Sequence, residues 1–374
     1  MAKKASSLER EPSAVRWVRL PDRDKRRLLH LITQWFAEEK LSHAKIAYRI
    51  RKWVETNAPD CCDPDPERGV TTQFVGRRIA EAAQKYRFLR VSPFYEEELA
   101  QKITRTLLLE RVELFVAPNY DEMLRYVWLD LDRLLTNRVK NSDSTESIIV
   151  GASGGGTMID LAKVSQSLPE MTWHEEIPAN MREKVTVCSL TSGGIRSNVA
   201  ALSDTVAAII AGHLGAKTWG LLGPAWFADK SARAAFCNDP DVQENLRMAN
   251  EAEIILSSVG YLGEGKSFMR QLLERAGELK FVEDHPNLSD ILCNCYDGLS
   301  GEPIELPERI RDHVFSVINL KQLRDKIRKG SRCIVLAGGK PKGCHSIIGV
   351  LRKQMASHVY IDKDCAEAVL ETLS

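Results

Sequence analysis

The sequence has 374 residues, of which 44% are hydrophobic and 28% are charged, an ordinary composition from which a substantial core can form. Its length favours two domains, and no apolar run approaches the roughly 18–20 residues that a membrane-spanning helix needs. Residues 1–90 carry 20 Lys and Arg against 12 Asp and Glu, so a polyanionic partner is expected for this part, although the whole chain has a formal net charge of only +1.

The first ninety residues predict three short helices after a loose basic arm at residues 1–21. Apolar side chains recur at helical spacing after Asp24, and a second helix over Leu41–Ile50 has Ser42 as its expected N-cap. A loop rich in Pro and Asp, residues 57–69, separates it from the third helix. The apolar stripe of the first helix consists of Leu28, Leu29, Ile32, Trp35 and Phe36, and the buried face of the second consists of Ile46, Ala47 and Ile50.

The third helix, Val70–Gln84, carries short polar and basic side chains near its N-terminus. Such groups reach base edges and phosphates, which is what a recognition helix requires. We therefore predict a winged-helix-like helix-turn-helix domain over residues 1–92, with Tyr86–Val91 as the strand of a wing, although three-helix bundles of other purpose share this pattern. The expected DNA-binding residues are Thr71, Thr72, Gln73, Arg77 and Arg78; Thr71 or Thr72 is the expected cap, and Val75, Ile79 and Ala82 are expected to face inward.

From residue 93 onward, strands alternate with helices. This alternation predicts an α/β domain over residues 93–374, with a Rossmann-like parallel sheet covered by helices. The expected helices are Pro93–Leu114, Met123–Val139, Val199–Leu214, Asp241–Ala252, His345–Gln354 and Lys363–Leu373. The expected strands, some of which run on into loops, are Val112–Val116, Ile148–Val150, Val185–Leu190, Thr218–Pro224, Ile254–Gly260, Cys333–Gly343 and His358–Ile361.

A glycine-rich loop over Gly151–Gly156 joins a buried strand to a helix that begins near Thr157. This order leaves backbone N–H groups at the positive end of a helix, where they favour an anion such as phosphate. The loop is not a Walker loop, because Thr157 and Met158 stand where Lys and then Ser or Thr are needed. It also lacks the third glycine of the dinucleotide fingerprint. A plain strand-to-helix turn is the alternative.

Two other predicted strands end in loops of similar chemistry, Thr191–Asn198 and Ala337–Gly343. Ligands of parallel sheets bind beyond the carboxyl ends of the strands, so these loops are expected to converge on one anion. Arg196 can clamp a phosphate through two hydrogen bonds, and Lys342 can act as a point charge. Asp297 either accepts hydrogen bonds from sugar hydroxyls or closes an Asp-Gly turn.

The order of these motifs resembles the SorC (DeoR-type) family of bacterial sugar-binding transcriptional regulators, from about Lys25 to the C-terminus. Two passages depart from the family pattern: the loop at 57–69 is far longer, and the glycine loop reads Gly-Ala-Ser-Gly-Gly-Gly-Thr. The passages that carry the resemblance are Leu41–Ile50, Thr71–Ile79, Gly151–Thr157, Asn250–Gly260, Ser289–Leu292, Tyr296–Gly298 and Ala337–Gly343.

The resemblance implies an effector domain related in fold to sugar-phosphate isomerases and deaminases. It implies binding of a phosphorylated sugar and assembly into homodimers or homotetramers. The loops and the resemblance together predict the effector-binding residues Ser153, Gly154, Gly155, Gly156, Thr157, Thr191, Ser192, Gly193, Gly194, Arg196, Asp297, Gly339 and Lys342.

We therefore expect a cytoplasmic transcription regulator that binds operator DNA and has no enzymatic activity, cofactor or metal. The nine cysteines lack zinc-site spacing, and the start Met-Ala-Lys-Lys is unlike a secretory leader. One alternative is a sugar-phosphate isomerase, deaminase or acyl-CoA-type transferase on the same fold. Another is an oligomeric scaffold whose basic end binds a protein or RNA. Acid–base groups available to an enzyme are Asp160, Asp204, Glu264, Asp297 and His345.

Overall fold

The computed structural model describes residues 20–37, 39, 41–61, 70–84, 95–141, 146–167, 173, 176–191, 202–221, 223–227, 229–263, 267–339 and 343–374. Backbone contacts divide the chain into two compact units, Met1–Ser92 and Pro93–Ser374. No helix in the described ranges is both long enough and apolar enough to cross a membrane.

Three helices build the described part of the first unit, as the sequence predicts: α1 (Asp22–Ala37), α2 (His43–Asn57) and α3 (Thr72–Gln84). Each helix packs against the other two, so that their apolar faces enclose one core. Burial of one large apolar side chain contributes about 1.5–3 kcal/mol, which makes this shared core the main source of stability for the unit. The core consists of Leu20, Leu28, Leu29, Ile32, Trp35, Ile46, Ala47, Ile50, Val54, Cys61, Phe74, Val75 and Ile79.

The predicted helix caps have different outcomes. Thr71 Oγ1 accepts a hydrogen bond from the backbone N–H of Phe74 at 3.1 Å, which is the N-cap contact expected for α3. Ser42 stands at the N-cap position of α2, but its side chain accepts no helix N–H, so the prediction holds for position only. Phe36, which was expected in the apolar stripe of α1, lies outside the core: it stands at the end of the helix next to the His43 ring and is 38% exposed. The predicted wing strand at 86–91 and the side chain of Ala82 fall outside the described residues.

A parallel sheet forms the middle layer of the second unit. The strands of its described part are β1 (Glu113–Ala117), β2 (Ile148–Ala152), β3 (Val185–Ser189), β4 (Lys217–Trp219), β5 (Ile254–Tyr261), β6 (Leu288–Ile291), β7 (Asn294–Asp297), β8 (Arg332–Ala337) and β9 (His358–Asp362). Seven of them pair in parallel in the order β1-β9-β8-β5-β2-β3-β4, which confirms the predicted α/β fold. The remaining two, β6 and β7, form an antiparallel hairpin beside the end of β5.

Helices cover both faces of this sheet. They are α4 (Glu97–Leu107), α5 (Tyr120–Lys140), α6 (Gly156–Ser167), α7 (Ala179–Arg182), α8 (Ser203–Leu214), α9 (Lys230–Cys237), α10 (Pro240–Glu251), α11 (Phe268–Arg275), α12 (Leu279–Glu283), α13 (Glu308–Arg311), α14 (Leu320–Arg328), α15 (Ser346–Arg352) and α16 (Lys363–Leu373). Alternate strand residues face opposite cores. In β2, for example, Ile148 and Val150 pack with α5, α6 and α8, whereas Ile149 packs on the other side with α4, α10 and α16.

One sequence prediction fails in this unit, and one element was not predicted. The helix predicted over Pro93–Leu114 ends at Leu107, because Leu108 adopts a left-handed conformation (φ 52°) that stops helical hydrogen bonding before β1. The β6–β7 hairpin was not predicted. Its strands are only four residues long, and Leu292 and Cys293 form its turn with positive φ angles of 52° and 60°, which the sequence pattern does not signal.

Candidate functional site

The predicted glycine loop joins the carboxyl end of β2 to α6. The backbone N–H of Ser153 donates to the Leu256 carbonyl at 2.9 Å, and the backbone N–H of Gly154 donates to Thr191 Oγ1 at 3.3 Å. The loop is therefore fixed to β5 on one side and to the end of β3 on the other. Gly155 has φ +113°, a conformation that side chains disfavour, so glycine is required at this position.

The start of α8 holds the ends of β2 and β3 together. Ser203 Oγ donates to the Ala152 carbonyl at 2.6 Å and accepts from the backbone N–H groups of Leu190 and Thr191 at 3.2 and 3.4 Å. Ser203 is 1% exposed, so these contacts are shielded from water. A single buried hydroxyl thus places Thr191 beside the glycine loop.

Tyr120 forms a wall between the glycine loop and the loop after β8, a role that the sequence did not reveal. Its hydroxyl donates to Asp160 Oδ2 at 3.2 Å, on the first turns of α6. A Cβ atom added to either Gly338 or Gly339 would lie 3.2 Å from Tyr120 Cδ2, so the β8 loop passes directly over the ring. Burial raises the pKa of the Tyr120 hydroxyl; a hydrogen bond with the Thr157 side chain opposes this, and the Asp160 charge adds to it, so the hydroxyl stays protonated. The sequence signal that could have pointed to Tyr120 is its position just after β1.

Asp362, at the end of β9, fixes the β8 loop from the other side. Its Oδ2 accepts the backbone N–H of Gly339 at 2.6 Å, and its Oδ1 accepts the backbone N–H of Cys365 at 2.9 Å as the N-cap of α16. Gly339 has φ +76°, which again favours glycine. Ends of β2, β3, β8 and β9 therefore lie at one edge of the sheet with their loops tied to one another.

Asp297 closes the turn after β7. Its Oδ1 accepts the backbone N–H groups of Leu299 and Ser300 at 3.1 and 2.7 Å. Burial raises the pKa of this carboxyl, but these hydrogen bonds and one from Asn287 outweigh burial and hold the pKa below its ordinary value. The geometry matches the alternative of an Asp-Gly turn, and contact with a sugar stays a prediction.

The structure brings part of the predicted effector set together at this edge. Residues Ser153–Thr157, Thr191 and Gly339 lie at the carboxyl ends of the parallel strands. Three of the groups considered for catalysis hold other groups in place: Asp160 binds Tyr120, Asp204 binds Ser189 and Leu221, and Asp297 closes a turn. The ring of a fourth, His345, packs on Tyr261. The predicted residues outside the described ranges are Ser192, Gly193, Gly194, Arg196, Lys342 and the acid–base candidate Glu264.

In the first unit, the predicted DNA-contacting residues of α3 differ in exposure. Thr72 and Arg77 are exposed, whereas Arg78 is partly buried with its guanidinium 5.1 Å from the centre of the Phe74 ring. The Gln73 side chain lies outside the described residues. Exposed hydroxyl and guanidinium groups near the start of a helix have the chemistry that contacts bases and phosphates.

Comparison with known proteins identifies the second unit. Residues 96–371 match the family model Sugar-bind, described as "Putative sugar-binding domain". The full-length sorbitol operon regulator SorC from Klebsiella pneumoniae has a similar structure, with a TM-score of 0.60 at 16% sequence identity over 94% of this chain and 99% of that chain. A DeoR family transcriptional regulator from Listeria monocytogenes has a TM-score of 0.53 at 16% identity over 73% of this chain and 98% of that chain.

At such low identities the solved structures show a shared fold, and the family model carries the assignment. A comparison with curated proteins finds none that matches the chain. The family model covers well over half of the residues, including every described loop of the candidate site. The chain therefore belongs to the family of this sugar-binding domain, and its second unit shares the fold of the SorC and DeoR family regulators, as the order of its sequence motifs predicts.

Proposed function

We propose that the chain is a DNA-binding transcriptional regulator whose second unit senses a small phosphorylated sugar or a related metabolite. The observation that carries this proposal is the meeting of glycine-lined loops at the carboxyl edge of a sheet that belongs to a sugar-binding family. Backbone N–H groups at the start of α6 offer donors to phosphate, and the helix dipole favours its charge. The proposed effector domain is residues 93–374.

Side chains from the other loops would complete the phosphate-binding site. We place Thr157 and Thr191 against phosphate or hydroxyl groups, with Arg196 and Lys342 supplying positive charge. The predicted backbone contacts at 153–156, 192–194 and 339, and the predicted hydroxyl contact of Asp297, belong to the same proposal. No cofactor is required for such sensing.

The DNA-binding part of the proposal rests on the basic first unit and on α3. Arg77 and Thr72 would contact DNA from the exposed face of α3, with Thr71, Gln73 and Arg78 beside them. We propose that the chain acts in the cytoplasm as a homodimer or homotetramer. Ligand binding would favour one assembly over another and so change operator affinity, as a shift between existing states.

A salt-titrated binding assay tests the DNA-binding proposal. The full chain first selects sequences from a randomised duplex pool, and binding to the enriched duplex is then measured by fluorescence anisotropy. Arg77→Ala should weaken binding by about tenfold or more and should reduce the slope against salt by about one if Arg77 contacts phosphate. Lys217→Ala, an exposed lysine on β4, is the matched control and should bind like the wild type. Equal affinity of both variants would count against α3 as the recognition helix.

An enzyme on the same fold remains the second candidate because of its acid–base groups. We propose that the chain is not an enzyme, since the described acid–base candidates Asp160, Asp204 and Asp297 hold other groups in place. Conversion of any sugar phosphate by the full chain would contradict this.

A further inference from the structure

We infer that His345 recognises the sugar part of the ligand through a hydrogen bond at its Nε2 atom. This inference rests on the proposed function and assigns a specificity-determining residue to the same site. It comes from an imidazole that the structure holds in a defined position, with a buried nitrogen that nothing in the described part of the chain satisfies.

The imidazole of His345 is clamped between two elements. On one side, its ring meets the edge of the Tyr261 ring at 81°, with 4.6 Å between the centroids. On the other side, a Cβ added to Gly298 would lie 3.2 Å from His345 Cδ2. Gly343, two residues earlier, has φ +93° and passes so close to Tyr261 that its own Cβ would lie 2.7 Å from Tyr261 Cβ. The ring therefore cannot swing away without moving Tyr261 or the Gly298 turn.

The Nε2 atom is buried and has no hydrogen-bond partner among the described residues. Leaving such an atom unpaired costs about 1–3 kcal/mol, so a water molecule or a ligand is needed to satisfy it. Burial lowers the pKa of His345, and the nearby charge of Asp297 opposes this without reversing it, so the ring is neutral at neutral pH. A neutral imidazole nitrogen either donates or accepts, and a sugar hydroxyl matches both possibilities.

His345 lies between β8 and α15, and its ring packs on the end of β5, the strand that also passes the glycine loop. Ser258 of β5 lies beside the glycine loop, since a Cβ on Gly155 would be 3.5 Å from Ser258 Oγ. Tyr261, which packs on His345, lies three residues further along the same strand. These two positions are about 10 Å apart along β5, and their side chains face opposite sides of the strand. The helices that follow the glycine loop and His345, α6 and α15, likewise pack on opposite faces of the sheet. A ligand that lies across the carboxyl end of β5, with its phosphate on the glycine loop, would extend its far hydroxyl groups to the opposite side, where His345 lies.

The test separates the sugar from the phosphate. Calorimetric titrations of the full chain use inorganic phosphate and three sugar phosphates: glucose 6-phosphate, fructose 6-phosphate and ribose 5-phosphate. We expect at least one sugar phosphate to bind more tightly than inorganic phosphate. His345→Leu should weaken the binding of that sugar phosphate by about tenfold and leave the affinity for inorganic phosphate unchanged, because only the sugar contact is lost. His345→Gln, which keeps a polar group near the Nε2 position, should recover part of the loss.

Two further variants complete the design. Thr157→Val, in the first turn of α6, should weaken the binding of inorganic phosphate and of the sugar phosphate together. If His345→Leu does not fold, His345→Ala provides the same comparison without added bulk. Unchanged sugar-phosphate affinity in the His345 variants would overturn the inference and would leave a water molecule as the partner of Nε2. Equal losses of affinity for inorganic phosphate and for the sugar phosphate would also overturn the inference, because they would show that His345 has a structural role. Failure of the wild type to bind any probe would overturn the proposed function as well.

Discussion

At the scale of single residues, Asp290 shows how closely the hairpin is fitted to β5. It lies opposite Gly260, and a Cβ on that glycine would come within 2.1 Å of Asp290 Oδ1, so the carboxyl occupies the space that a side chain would need. Burial raises the pKa of Asp290 to about 7, against the hydrogen bond from the backbone N–H of Cys293, although the residue as a whole is partly exposed. A carboxyl in this setting is protonated more readily in the folded chain than in the unfolded chain.

This setting predicts a definite pH dependence of stability. Because the folded pKa is raised, the contribution of Asp290 is fully present below about pH 4 and is lost as the pH rises toward 7. In Asp290→Asn, this loss should be absent. The free energy of unfolding of the wild type, relative to the variant, should therefore fall by on the order of 2 kcal/mol between pH 4.5 and 7.5. Urea denaturation across this range measures it, and a pH-independent difference would contradict the assignment.

At the scale of elements, α15 packs on the turn after β7 at backbone distance. The N–H of Gly349 donates to the Gly298 carbonyl at 2.7 Å, and a Cβ on Gly349 would lie 2.8 and 2.9 Å from the carbonyl oxygens of Asp297 and Gly298. This contact also holds His345 and Asp297 in their relative positions. Close approach of the two backbones is possible only because residue 349 has no side chain.

Two glycine substitutions should therefore act in opposite directions. Gly349→Ala should destabilise the chain by about 1–3 kcal/mol, because the new methyl group meets backbone rather than a flexible side chain. Gly212→Ala is the matched control within α8, where an added Cβ meets nothing within 4 Å. It should stabilise the chain by about 0.5–1 kcal/mol. Denaturant unfolding of both variants measures these changes in stability, and similar effects of the two substitutions would contradict the packing described for α15.

The elements also show what the sequence could and could not predict. The amphipathic helices and the alternation of strands and helices were predictable, because each repeats a local pattern over ten or more residues. The glycine loop was predictable for the same local reason. Tyr120 and Asp362 were not assigned to the site, because their contacts depend on β9 lying between β1 and β8, and no local pattern specifies that order. The His345 clamp likewise depends on the unpredicted hairpin.

At the scale of the whole molecule, two compact units differ in charge and in fold. Residues 1–90 carry the positive excess, while the described loops that carry the proposed anion site lie in the other unit. A regulator must couple these two activities, and the coupling is a free energy shared by both ligands. We therefore expect one phosphorylated sugar to change the affinity of this chain for one DNA sequence.

That claim is tested most directly by measuring DNA affinity in the presence and absence of sugar phosphates. The full chain is titrated onto its selected duplex at fixed salt, with each of the sugar phosphates and with inorganic phosphate as the control. We expect one sugar phosphate to change the dissociation constant by about 5- to 150-fold, in either direction, and Arg77→Ala to lose binding in both conditions. An enriched duplex whose affinity is the same with every sugar phosphate, or the absence of any enriched duplex, would contradict it.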